Sequence, residues 1–136
     1  MKLIGILIGF VFGSILSAKA QSPKATVYLV RSPGPDRYVP YFTYDDTVLL
    51  CKLGDGRHSV HEVEPGEHKF HAQYKGKLKT TPDSVLQLTL EAGRTYYISV
   101  NLATKAFSRG TFYCEQLSEA DGKKRIEVYA LDKKCL

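Results

Sequence analysis

A chain of 136 residues with 43% apolar side chains can bury one core, which excludes the disordered and fibrous classes. Nineteen basic against fourteen acidic residues give a formal charge of +5, too modest to point to nucleic acid. Three cysteines and four histidines are the whole stock of thiols and imidazoles.

The chain opens with Lys2, an apolar run over residues 3–16 and the small-residue segment Ser17-Ala18-Lys19-Ala20. This charged, apolar, cleavable order is that of a secretory signal peptide, so residues 1–20 are expected to be removed. The run is too short and wrongly flanked for a membrane-spanning helix. No cysteine stands directly after the cleavage position, which argues against a lipoprotein. Residues 21–136 then form a single domain, exported to the periplasm or the exterior. Losing Lys2 and Lys19 lowers its charge by two.

Residues 25–31, ATVYLVR, are rich in branched and aromatic side chains and predict a strand, stopped by Ser32-Pro33-Gly34-Pro35-Asp36. Residues 41–53 predict a second strand region, bent at Asp45-Asp46. Its aromatics Tyr41, Phe42 and Tyr44, with Tyr38, read as part core and part turn packing, with stacking on a sugar as the functional alternative. Gly54-Asp55-Gly56 turns the chain into residues 57–74, RHSVHEVEPGEHKFHAQY, which read as a hairpin about Glu64-Pro65-Gly66-Glu67. That hairpin holds His58, His61, His68 and His71. With Pro65-Gly66 as a two-residue loop, His61 and His68 share one face and His58 and His71 the other. Two pairs on opposite faces cannot make one four-ligand site. Each pair could take Cu(II), Ni(II) or Zn(II) if a carboxylate such as Glu62 completed it. The plainer reading is four half-exposed strand histidines.

Residues 75–84 predict a polar surface loop. Lys75, Lys77 and Lys79 recur with period two and would project together from an extended chain, as a patch for anionic envelope polymers or as a solvated face. Leu86, Leu88 and Leu90 alternate with polar residues and predict a half-buried strand, which Ala92-Gly93 turns into a second hairpin with residues 94–102. A further strand follows over residues 111–117. Ser118, with Asp121 three positions on, predicts the N-cap of a helix about two turns long, interrupted by Gly122. Residues 126–131 extend that helix or form a last strand.

Of Cys51, Cys114 and Cys135, two are expected to pair in an oxidising compartment. Sequence leaves the pair open. Cys114 with Cys135 is favoured here because it would tie down the polar C-terminal run Asp132-Lys133-Lys134. No two cysteines have zinc-ligand spacing. The chain has no Gly-x-Ser-x-Gly elbow, phosphate-cradling loop or His-Glu-x-x-His, and Asp45-Asp46 reads as a turn, so the expectation is a protein that is not an enzyme and needs no cofactor.

Four blocks carry a resemblance: ATVYLVR at 25–31, the glycine turn after Leu53, VEPGEH at 63–68 and LTLEAGRTYY at 88–97. In this order they resemble the bacterial exported domain-of-unknown-function family 2846, over about residues 25–125. The resemblance implies a small antiparallel β-sandwich of prealbumin, PEGA or immunoglobulin-like shape in the cell envelope, and supplies no catalytic residues. The chain departs from many members in lacking a lipid-acceptor cysteine. The sequence thus predicts a mainly β domain with one short C-terminal helix. Its expected role is non-catalytic binding or structural association with an envelope protein or anionic polymer. Metal binding by the histidine hairpin is the alternative, and the oligomeric state is left open.

Overall fold

The computed structural model describes residues 23–104, 106 and 110–135. The expected signal peptide, residues 1–20, lies outside the described residues.

The chain runs β1 (Ala25–Val30), β2 (Tyr41–Asp45), β3 (Val48–Leu53), β4 (Arg57–Val63), β5 (Gly66–Gln73), β6 (Leu86–Leu90), β7 (Thr95–Ala103), β8 (Thr111–Leu117), α1 (Glu119–Val128) and β9 (Ala130–Leu131). Single 3-10 turns cover Pro82–Ser84 and Lys133–Cys135. The strands form two sheets, β8-β7-β1-β4-β9 and β3-β2-β5-β6. All pairings are antiparallel except β1 with β7 and β4 with β9. Val27, Leu29, Ile98, Val100 and Phe112 from the first sheet meet Tyr41, Leu53, Phe70, Ala72 and Leu90 from the second in one buried cluster. The protein is therefore mainly β, with a two-layer, sandwich-like core between antiparallel-rich sheets.

Both expected hairpins are corrected by this topology. β4 and β5 lie in different sheets, and so do β6 and β7. A strand has two edges, and here both are taken: β4 pairs with β1 and β9, β5 with β2 and β6, and β7 with β1 and β8. No edge remains for a ladder within either expected hairpin. The turns are corners instead, where the chain steps between layers with Gly66 and Gly93 at positive φ of 122° and 75°. The adjacent-strand hairpins are β2 with β3, about Asp46 at φ 53°, and β7 with β8.

Helix α1 begins as expected, with the Ser118 hydroxyl accepting from the Asp121 N–H. Gly122 does not interrupt it. The helix runs ten residues, and Gly122 is buried where the absence of a side chain lets the backbone lie against the Tyr97 ring. Residues 126–128 extend the helix, and β9 follows after Tyr129.

The disulfide joins Cys51 to Cys135, not Cys114 to Cys135. Asp132 accepts a hydrogen bond from the Gly54 N–H at 2.7 Å, which lays the last turn along the end of β3 and brings the Cα atoms of Cys51 and Cys135 to 4.7 Å. Cys114 lies opposite Val100 within the β8-β7-β1-β4-β9 sheet, away from the sheet of Cys51, and stays a free thiol. Its burial pushes the thiol up to about 12, so it carries no thiolate chemistry near neutral pH.

Candidate functional site

Strand β1 places Ala25, Val27 and Leu29 inward, and the same parity carries Arg31 into the interior, 1% exposed. A buried guanidinium needs acceptors and counter-charge. The Arg31 fork donates to the carbonyls of Val39 (2.7 Å), Leu53 (2.8 Å) and Asp36 (3.2 Å). The carboxylates of Asp36 and Asp55 stand at 3.6 and 3.9 Å. Asp36 also accepts from the hydroxyls of Tyr41 (2.7 Å) and Tyr74 (2.9 Å). Burial alone would raise the Asp36 carboxyl, but the two tyrosine hydroxyls, a backbone N–H and Arg31 outweigh it and hold the group below its ordinary value. Burial, and then the bond to Asp36, raise both tyrosines above theirs.

This polar knot fixes an aromatic floor. Phe112 of β8 meets Tyr41 and Tyr74 edge-on, each pair of ring centroids being 4.8 Å apart. Above it opens a cleft of about 780 Å³ lined by Tyr74, Phe112, Thr111, Lys75, Lys77 and Lys79, among others. The lysine segment is not extended as its period suggested. It curls around Gln73, whose amide donates to the carbonyls of Gly76 and Lys77 and whose oxygen accepts from the Lys79 N–H at 2.9 Å. The curl, rather than strand alternation, brings the three lysines to one cleft. None has a carboxylate within ion-pair distance among the described residues.

The histidines are not brought together. His58 Nδ1 contacts the Tyr129 carbonyl at 2.7 Å. His61 Nε2 contacts the Ser59 hydroxyl at 2.9 Å, and burial lowers its pKa. His68 lies between the Asp45 carboxylate and the Glu64 carbonyl, 2.5 Å from each. His71 is buried against the Tyr44 ring, with Nε2 on the Asp46 carbonyl. Two stand on β4 and two on β5, in separate sheets, and among the described residues no group of three ligand-type side chains includes a histidine. The group that does converge, Cys51, Asp132 and Cys135, has its sulfurs joined to each other and its carboxylate accepting from backbone N–H groups. It is a staple.

Of the expected aromatic group, Tyr41 is core, Phe42 and Tyr44 are half-buried, and Tyr38 stands free at 84% exposure. The sequence reading missed the Arg31 knot. Its signal was present: an arginine on the inward parity of an apolar strand, followed by Asp36 in the turn. Together the two-layer fold and the cleft define the class only as a small, mainly β protein with a lysine-lined aromatic cleft. No protein-family model, curated protein or solved structure matches the chain. The resemblance to the exported family rests on its four sequence blocks alone.

Proposed function

We propose that this protein is an exported, non-catalytic binding module of the cell envelope that holds an anionic polymer in the Lys75, Lys77 and Lys79 cleft. The observation that carries the reading is the cleft: three lysines, without acidic partners among the described residues, set around an aromatic floor. Ammonium groups supply mobile point charges for phosphate or carboxylate, and the half-exposed Tyr74 ring offers a face for an apolar or sugar segment. Export is supported by the signal-like residues 1–20 and by the Cys51–Cys135 disulfide, which suits an oxidising compartment. Among the described residues no helix is long and apolar enough to cross a membrane. The sandwich-like layering is compatible with the prealbumin or immunoglobulin-like shape implied by the family resemblance.

The test is binding of dextran sulfate, with neutral dextran as control, across a salt series. Wild-type protein should bind the sulfated chain alone, more weakly as salt rises. Replacing Lys75, Lys77 and Lys79 together by alanine should weaken it about tenfold, the sum of three exposed charge contacts. Unchanged binding by that variant would remove the cleft from the reading.

A further inference from the structure

A second basic cleft lies beside the C-terminal turn that carries Cys135. It measures about 790 Å³, and its lining includes Arg37, Tyr38, Arg57, Lys133 and Lys134 together with Asp55 and Asp132. The two acids are already engaged. Asp55 accepts from the Gly34 N–H at 2.8 Å and stands 3.9 Å from Arg31, while Asp132 accepts from the N–H groups of Gly54 and Lys134. The four cations, by contrast, form no ion pair with any carboxylate among the described residues. The backbone that carries three of them is fixed in place. The Cys51–Cys135 bond and the Asp132 clamp hold the lysine turn against β3, and Arg57 is the first residue of β4. A site held rigid before binding loses less freedom when it binds.

We propose that this cleft is a second anion site, and that its ligand is a carboxylated sugar chain. Arg37 and Arg57 carry planar guanidinium forks that match carboxylate geometry, and the two lysines add unspecific positive charge. Beside them Tyr38 exposes 84% of its surface, with the Arg37 guanidinium 4.9 Å from its ring centroid. An exposed ring next to a carboxylate fork suits an acidic sugar, whose C–H face stacks while its carboxylate pairs. An acidic peptide offers the carboxylates without that face.

The deciding experiment measures binding of oligogalacturonate and of poly-glutamate of matched length to the purified, oxidised protein at low salt. Arg57→Ala combined with Lys133→Ala and Lys134→Ala should weaken oligogalacturonate about tenfold. Lys24→Ala combined with Lys52→Ala and Lys124→Ala, at three exposed lysines that line neither cleft, removes the same charge elsewhere and should change it less than about twofold. Tyr38→Ala should weaken oligogalacturonate and leave poly-glutamate unchanged. Thermal midpoints guard against misfolding, and Lys133→Gln with Lys134→Gln repeats the test with less disturbance. Equal weakening by both triple variants would reduce the effect to net charge and overturn the site. No weakening by the Arg57 set would also overturn it. Poly-glutamate binding as tightly, with Tyr38→Ala silent on both probes, would overturn the sugar assignment.

Discussion

The guanidinium carbon of Arg31 lies 3.4 Å from the ring centroid of Tyr41, and the Tyr41 hydroxyl donates to Asp36, so one aromatic side chain joins the buried cation to its counter-ion. Removing the cation leaves the Val39 and Leu53 carbonyls without their donor and two carboxylates without their charge partner. Arg31→Ala should therefore destabilise by roughly 3–5 kcal/mol in urea unfolding, while Arg31→Met, which keeps apolar volume, should cost less. Equal stability of Arg31→Ala and the parent would show that the knot contributes nothing net.

The same knot predicts an alkaline limit. In the folded protein Tyr41 and Tyr74 are raised above the ordinary value of 10.0, first by burial and then by the bond to Asp36. Above pH 10 the unfolded chain releases phenolic protons that the folded chain retains, so stability should fall as pH rises further. Tyr41→Phe should flatten that decline, at a loss near neutral pH of roughly 1.5–3 kcal/mol for a hydrogen bond to a charged group. Guanidinium unfolding at pH 8 and pH 11 checks both.

Gly122→Ala should reverse the usual sign. In an exposed helix interior the change stabilises by about 1 kcal/mol. Here an added Cβ collides with the Tyr97 ring, which is packed on Tyr28 at 5.2 Å. The expected result is a loss of roughly 1–3 kcal/mol. Tyr97→Leu in the same background should recover part of it, and additivity of the two changes would refute the contact as cause.

The disulfide spans 84 residues of sequence. On the chain-entropy account, replacing Cys51 and Cys135 by serine should cost roughly 4–5 kcal/mol. Thiol counting gives an independent check. The native protein should react slowly with a thiol reagent at pH 8, because desolvation of the half-buried Cys114 raises its pKa to about 12 and leaves little thiolate. Denatured without reductant it should show one thiol, and that one should be Cys114. Labelling of Cys51 instead would disprove the pairing.

Much was legible locally. The alternation of Leu86, Leu88 and Leu90, the Asp45-Asp46 bend and the Ser118 cap all follow from the period of apolar residues and from turn and cap chemistry, which act over a few residues. The lysines of the candidate cleft were visible too, but for the wrong geometry: Gln73 curls the segment, and side-chain bonds to backbone carry no periodic signature. The aromatic floor was not legible, since Tyr41, Tyr74 and Phe112 come from distant parts of the chain.

By itself the sequence determined that residues 25–131 form strands and one late helix, and which faces of several strands turn inward, because alternation is a property of each segment alone. Only the tertiary structure decided partnership. Alternation says which side of β4, β5, β6 and β7 is buried but not which edge each strand offers to which neighbour. Competition for a limited number of edges turned both expected hairpins into corners between layers. The same step sent Cys135 to Cys51, dispersed the four histidines, and drew Arg31, Asp36 and Tyr74 around one buried charge.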